Sequence, residues 1–118
     1  MARGKSLDED ILTDSTYYIL LTLVEPIHGY GIMQKVQELS QGQFIIGPAS
    51  LYTIIKKLLN ADLIKLVVSE DVRKKIYTLT SKGKEILKKD INRRISMVEH
   101  GKEALQFLEE GEKNGKEI

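Results

Sequence analysis

Hydrophobic residues recur at helical spacing over residues 48–60 and divide this stretch into two faces. At about 100° of rotation per residue, one arc is apolar and contains Leu51, Ile54, Ile55, Leu58 and Leu59. The other arc carries small hydroxyls, an amide and lysines but no acid, from Ala49, Ser50, Thr53, Lys56, Lys57 and Asn60. Pro48 suits the first helical position because its φ is already helical. Such a face suits a helix that lies against phosphates and base edges, but this stretch alone favours an ordinary amphipathic surface helix, and the sequence that follows shifts the balance towards DNA.

Two helices are predicted before this stretch. The first is capped by Asp14 or Ser15 and ends at about Glu25, before Pro26, and its apolar residues are Tyr17, Leu20, Leu21 and Val24. The second covers about residues 30–40, and its predicted buried residues are Ile32, Met33, Val36 and Leu39. A turn at 41–43 and an apolar run at 44–46, either a stub strand or an anchored loop, lead into the helix at 48–60.

His28 stands at the start of the second helix, where two roles are open to it. It could be a general base or a metal ligand, or it could cap and pack the helix start. Because the chain has one other histidine, His100, and no cysteine, a metal set is disfavoured and we predict the structural role. We accordingly predict no metal, no cofactor and no catalytic residue.

A β-hairpin is predicted after the helix at 48–60. Residues 63–68 are apolar and β-branched, residues 69–71 read as a turn, and residues 73–79 form the return strand. The return strand begins with three consecutive cations, Arg73, Lys74 and Lys75. Three helices followed by a basic hairpin is the order of a winged helix-turn-helix. The predicted fold is therefore mostly α with a small β-hairpin (α+β), with a further helix at the C-terminal end.

This last helix is predicted to start at a Thr80 or Ser81 cap and to continue to about Gly111, a length of about 45 Å at 1.5 Å per residue. Its apolar stripe consists of Ile91, Ile95, Val98, Leu105 and Leu108. Nothing remains in the chain to cover this stripe, so we predict that it binds a second copy of the chain. The alternative is a frayed tail beyond His100, because Gly101 weakens the helix. The predicted domains are a winged helix at 10–80, a dimerisation helix at 81–112 and a flexible tail at 113–118.

Charge is distributed unevenly along the 118 residues, although the net charge is only +1. Residues 49–84 contain eight Lys and Arg against three acids, whereas residues 99–118 contain six Glu against three Lys. A basic middle and an acidic end suit a nucleic-acid module joined to a partner-binding segment, and ordinary surface scatter is the alternative. The longest apolar run, at 17–24, is too short for a membrane span, so the expected location is the cytoplasm.

With these motifs placed, residues 15–87 resemble the PadR-like family of bacterial transcriptional regulators. The residues that carry the resemblance are His28-Gly29-Tyr30, Ser50-Leu51-Tyr52, Leu63-Ile64 and the run from Arg73 to Gly83. The resemblance implies a winged helix dimer with its third helix in the major groove and a C-terminal helix that makes the dimer. Family members commonly act as repressors, and some are relieved by phenolic acids or hydrophobic drugs.

Several positions depart from the family pattern. Ser50 and Thr53 stand where the family usually has Gly and Pro around its Leu-Tyr pair, and Asp62 stands where Gly is frequent before Leu-Ile. Residues 69–72 replace the usual Gly or Pro of the wing tip. The chain has no Trp, so a drug pocket built on indole stacking is not supported.

The leading hypothesis is a homodimeric, sequence-specific DNA-binding regulator, with a repressor role and a small hydrophobic or phenolic effector as the resemblance implies. Its predicted partners are a palindromic operator in double-stranded DNA and a second copy of the chain. A winged helix that binds only a protein partner is the alternative, and the chain shows no residue set typical of an enzyme. The predicted DNA-contacting residues are Tyr30, Ser50, Tyr52, Thr53, Lys56, Lys57, Arg73, Lys74 and Lys75.

Overall fold

Four helices and three strands form an α+β fold in the computed structural model, which describes residues 11–68, 74–113 and 115. In chain order the elements are α1 (Asp14–Thr22), β1 (Ile27–His28), α2 (Gly29–Leu39), α3 (Pro48–Asn60), β2 (Ile64–Val67), β3 (Ile76–Leu79) and α4 (Ser81–Lys113). The predicted winged helix-turn-helix is confirmed: α2 and α3 are the helix-turn-helix, and β2 and β3 are the wing. The predicted turn at 69–71 and the cation Arg73 lie outside the described residues.

The sheet is antiparallel with the strand order β1-β3-β2. The hairpin register places Ile64 opposite Leu79 and Val67 opposite Ile76. Strand β1 was not predicted; it adds Ile27 opposite Tyr77 on the other side of β3. A strand of two residues has no alternation of polar and apolar positions, so only its pairing with β3 reveals it.

The core lies where the first three helices and the base of the sheet meet. Its fully buried side chains include Ile19 and Leu20 in α1 and Leu23 directly after that helix. Ile32 from α2 and Leu51 from α3 are also fully buried. Leu20, Ile32 and Leu51 are on the apolar arcs predicted for their helices, whereas Ile19 and Leu23 were not predicted and the predicted Val24 is 60% exposed. Leu39, predicted to be buried, is also 50% exposed at the end of α2.

The ends of α1 differ from those predicted. Thr13, rather than Asp14 or Ser15, is the N-cap, and its hydroxyl accepts a hydrogen bond from the Thr16 amide at 3.2 Å. The helix ends at Thr22, before the predicted Glu25. Pro26 sets only the farthest point a helix can reach, and here the chain turns earlier to bring residues 27 and 28 alongside β3.

The segment between α2 and α3 is an anchored loop, one of the two predicted alternatives. Buried Ser40 accepts a hydrogen bond from the Phe44 amide at 3.0 Å, and the Phe44 ring lies 5.3 Å from that of Tyr18. Ile45 is 73% exposed, so only part of the apolar run joins the core.

Both helices of the helix-turn-helix end in a Schellman motif whose left-handed residue is not glycine. After α2, Gln41 has φ 54° and the Gly42 amide donates to the carbonyl of Gln37. After α3, Asp62 has φ 63° and the Leu63 amide donates to the carbonyl of Leu58. Glycine, which the resemblance leads us to expect at the position of Asp62, would adopt this conformation without a steric penalty.

Helix α4 has 33 residues and is therefore about 50 Å long. Thr80 caps it, as predicted, by accepting the Gly83 amide at 3.0 Å. Gly83 lies directly against the carbonyl of Leu63, which leaves no room for a side chain. Residues 81–94, here called the base of α4, touch the rest of the chain, whereas every residue at 95–110, in the outer part of α4 (95–113), is exposed.

Candidate nucleic-acid interface

The polar face of α3 turns away from the core. Leu51, Ile55 and Leu58 are buried, while every residue of the predicted polar face is exposed: Ala49, Ser50, Thr53, Lys56, Lys57 and Asn60. At about 100° per residue, Ala49, Thr53 and Asn60 lie nearly opposite the buried arc. Lys56 and Lys57 lie at about equal angles on either side of this centre, with Tyr52 beyond Lys56 and Ser50 beyond Lys57. The predicted DNA-contacting residues of α3 thus form one outward centre with two flanks.

Thr53 uses part of its hydrogen-bonding capacity within the helix. Its hydroxyl donates to the carbonyl of Ala49 at 3.0 Å. The proton is therefore engaged, and the oxygen lone pairs remain available to an external donor. Among base edges, the exposed amino groups of adenine and cytosine are donors of this kind.

Tyr52 ties α3 to the start of α2. Its hydroxyl lies against Gly29, where a side chain on residue 29 would collide with it. Burial raises the pKa of the Tyr77 phenol in β3, and the nearby Tyr52 phenol raises it further. Tyr52 remains 49% exposed, so the same side chain contacts Gly29 and is accessible from outside.

The start of α2 presents Tyr30, which is 62% exposed. His28 precedes it as the N-cap, and its Nδ1 accepts a hydrogen bond from the Gly31 amide at 3.2 Å. The capping role predicted for His28 is confirmed. Because Nδ1 accepts, the neutral ring carries its proton on Nε2.

Lys57 lines a surface groove of about 710 Å³ on the flank of α3. The groove runs between the segment at 11–16 and α3, and Ile54, Leu58 and Leu63 contribute its apolar lining. Lys57 thus lies on the side of the outward face that borders this groove, and Lys56 lies on the other side of that face.

The wing carries cations and exposed apolar side chains together. Lys74 and Lys75 are both exposed immediately before β3. On β2, Leu66 is 51% exposed, and Val68 just beyond the strand is 97% exposed. In the sequence these apolar residues indicate only a strand, because a strand pattern does not show where the strand leaves the core.

The apolar stripe of α4 is exposed along its outer part. Ile95, Val98, Leu105 and Leu108 are 52%, 56%, 53% and 41% exposed, whereas Ile91 packs partly against the core. Met97 is 56% exposed next to the stripe and was not predicted to belong to it. Gly101 has no other part of the described chain within 4 Å of where its side chain would be.

The described residues contain neither a metal-binding cluster nor a membrane-spanning helix. Within residues 11–68 and 74–113 there is no group of three or more His, Asp or Glu that could hold a metal ion. No helix in that same part of the chain is both long enough and apolar enough to cross a membrane.

Comparison with known proteins gives a family and a fold. Residues 19–89 match the transcriptional regulator PadR-like family. A PadR-like transcription factor from Bacteroides fragilis is 27% identical over 77% of this chain and 86% of its own, with a TM-score of 0.56. RosR from H. salinarum is 25% identical over 73% and 76%, with a TM-score of 0.62. F93 from STIV, described as a winged-helix DNA-binding protein, is 16% identical over 74% and 94%, with a TM-score of 0.56, and shows a shared fold. No curated protein sequence matches the chain.

Proposed function

Because the chain belongs to the transcriptional regulator PadR-like family, we propose that it is a cytoplasmic repressor that binds a palindromic operator as a homodimer. The observation that carries the proposal is the outward face of α3, which is polar and basic, contains no acid and lies in the helix-turn-helix position. The family is one of transcriptional regulators rather than of enzymes.

Helix α3 is proposed to enter the major groove with Thr53 and Lys56 leading. Thr53 would accept a hydrogen bond from a base amino group, and Lys56 would contact guanine or phosphate. Ser50 and Lys57 on one flank and Tyr52 on the other would contact the phosphates that border the groove. None of these contacts alone fixes a sequence, so specificity would come from their combination and from the shape of the DNA.

The wing and the start of α2 are proposed to hold the backbone on either side. Lys74 and Lys75 would pair with phosphates or enter the minor groove, and Arg73, predicted for the same role, lies outside the described residues. Tyr30 would donate its exposed hydroxyl to a phosphate. These contacts would set the position of α3 on the duplex rather than read its sequence.

The outer part of α4 is proposed to pair with its equivalent in a second copy. Support comes from the exposed Val98, Leu105 and Leu108, and from Gly101 and Ala104 beside them, which would allow close approach. A two-fold dimer would place two α3 helices over half-sites roughly 34 Å apart or a multiple of that distance. Residues 10–80 would then be the DNA-binding unit and 81–112 the dimerising one, with 113–118 as a tail.

Release by an effector is the remaining part of the proposal. The family resemblance supports a small hydrophobic or phenolic compound that lowers the affinity for the operator. A panel of phenolic acids added to the protein–operator complex tests this directly. A loss of binding at an effector concentration that leaves the free dimer intact is the expected result, and unchanged affinity across the panel contradicts it.

The DNA-binding role is tested first by selecting duplexes from a random pool, which should return a palindrome. The double variant Lys74→Glu with Lys75→Glu should then lose operator binding at moderate salt while remaining dimeric by sedimentation. Lys84→Glu with Lys88→Glu is the matched control, because it makes the same change of charge on exposed residues of α4. Lys56→Gln should lower the slope of log affinity against log salt by about one.

Continued tight binding by the wing variant would show that the wing does not hold the DNA. If the unaltered chain binds neither heparin nor generic duplex, the alternative of a winged helix that recognises only a protein partner takes its place.

A further inference from the structure

An ionic network anchors the base of α4 to the start of α1, and it was not foreseen from the sequence. At its centre is Asp90, whose side chain is fully buried. Arg93 donates to one carboxylate oxygen from Nε at 3.0 Å and from Nη2 at 2.9 Å. Arg94 donates to the other oxygen from Nε at 2.7 Å. Both carboxylate oxygens are therefore engaged by charge-assisted hydrogen bonds.

Arg94 extends this network to another element. Its Nη1 donates to Asp14 at 2.9 Å and its Nη2 to the carbonyl of Leu12 at 3.1 Å. Its guanidinium also lies 4.0 Å from the centre of the Tyr17 ring, within the range of a cation–π contact. All three guanidinium nitrogens of Arg94 thus donate hydrogen bonds, one to Asp90 in α4 and two to residues 12 and 14 at the start of α1. Arg93, by contrast, makes hydrogen bonds only within its own helix, to Asp90 and Met97, as far as the described residues go.

Asp90 stays ionised near neutral pH, so the network is present under ordinary conditions. Burial by itself would raise the pKa of Asp90, but the hydrogen bonds from Arg94 and Arg93 and their positive charges outweigh it and hold that pKa below its usual range. Burial by itself would lower the pKa of Arg94, but the hydrogen bonds to Asp90 and Asp14 and their negative charges outweigh it and raise that pKa.

The position of Arg94 gives the network a mechanical consequence. Arg94 binds residues 12 and 14, and the next sixteen residues of α4, 95–110, are all exposed. The outer part of α4 therefore leaves the winged helix in the direction that these contacts impose. Residues 94–113 form a lever of about 29 Å, so a tilt of about 10° moves its end by about 5 Å.

We propose that Asp90 and Arg94 form a latch that sets the direction of α4, and through it the spacing of the two half-sites that a dimer recognises. The proposal rests on the proposed function, in which α4 joins two DNA-binding units. With successive base pairs 3.4 Å apart, a displacement of about 5 Å corresponds to roughly one and a half base pairs. Arg94 is accordingly a positioning residue for specificity, although it does not touch DNA.

The first test measures the direction of α4 without DNA. The chain has no cysteine, so Lys35→Cys on α2 and Glu110→Cys on α4 allow two spin labels at exposed positions. Labelled protein is diluted into an excess of unlabelled protein, so that only distances within one chain are measured. Arg94→Lys, which keeps the charge but cannot make the three-way contact, should broaden the distance distribution by about 5 Å.

Two further variants separate a positioning role from a merely stabilising one. Arg93→Lys removes hydrogen bonds to the same buried Asp90 but no contact with α1, so it should leave the distribution narrow. Asp14→Asn removes only the exposed end of the network, where the Asp14 side chain is 66% exposed, and should broaden the distribution without unfolding the chain. An Arg94→Lys distribution as narrow as that of the unaltered protein, or equal broadening by Arg93→Lys, would overturn the latch.

The second test measures spacing on DNA. Duplexes carry two copies of the selected half-site, inverted and separated by spacers of increasing length. The unaltered protein and Arg93→Lys should prefer one spacing, and Arg94→Lys should lose about tenfold of that preference, equivalent to roughly 1.4 kcal/mol, while binding a single half-site equally well. A spacing preference that survives Arg94→Lys refutes the latch and leaves the proposed function standing. Absence of any DNA binding by the unaltered protein refutes the proposed function, and the distance measurement then decides the latch alone.

Discussion

The base and the outer part of α4 belong to one continuous helix but lie in opposite environments. In the base, Gly83 lies against the carbonyl of Leu63, just before β2, and Asp90 is fully buried in its ionic network. In the outer part, Gly101 has open space around it and Val98 and Leu105 are more than half exposed. Helix formation alone therefore does not distinguish the two parts; what each is packed against does. The base packs within one chain, whereas residues 95–110 of the outer part stay exposed, as the proposed pairing requires.

A matched pair of glycine substitutions should expose this difference most strongly. In Gly83→Ala the new methyl would collide with the Leu63 carbonyl, and we expect a loss of roughly 1–3 kcal/mol of unfolding free energy. Gly101→Ala meets nothing and replaces a poor helix former, so we expect a gain of about 1 kcal/mol in the isolated chain. Urea denaturation of both variants measures the effects. Equal changes of the same sign would contradict the contrast between base and outer part.

Acid should weaken the base of α4 selectively. The pKa of Asp90 is depressed in the folded chain, so its contribution to stability is complete above the unfolded carboxyl pKa of about 3.9 and is lost as the pH falls through the lower folded value. We expect the unfolding free energy to fall with pH in that acid range, and to fall less steeply in Asp90→Asn. Glu99→Gln, on the exposed outer part, is the control and should leave the slope unchanged.

The smallest effect is expected where α3 meets the base of α4. Asp62 holds a left-handed backbone conformation while its carbonyl accepts the Thr80 hydroxyl at 2.7 Å. Replacement by glycine relieves the strain at some cost in chain entropy, so Asp62→Gly should gain about 0.5 kcal/mol. Gln41→Gly makes the same change at the end of α2, far from α4 in sequence, and should gain slightly more because glutamine tolerates this conformation less well than aspartate. Thermal melting that shows both variants destabilised would rule out strain at these positions.

Periodicity predicted most of the fold because most of its elements bury a single apolar face. The helix at 48–60 appears with its predicted bounds, and Leu51, Ile55 and Leu58 are buried as expected. The exposure of Thr53 and Lys56 follows from the same pattern. The pattern could not show that Tyr52 also contacts Gly29, or that Lys57 faces a groove, because both depend on how neighbouring helices are placed.

The parts that escaped prediction are those set by contacts distant in sequence. Strand β1 is defined only by β3, and the end of α1 only by where β1 must lie. Arg94 and Asp14 are eighty positions apart in the numbering, and no local pattern joins them. One signal was available: Asp90 follows Leu87 closely in a helix with an apolar face and precedes two arginines, a spacing at which side chains of a helix meet.

The exposed apolar stripe of α4 also bears on how sharply the protein would respond to its own abundance. Each copy carries one α3, and under the proposed pairing only the joined pair grips both halves of an operator. While most copies are single, the concentration of pairs rises with the square of the total amount of protein. When synthesis stops, growth and division halve the total amount of protein, and the concentration of pairs then falls about fourfold. The fraction of operators occupied would therefore fall more steeply than the amount of protein, and the controlled gene would switch on over a narrow range of protein concentration.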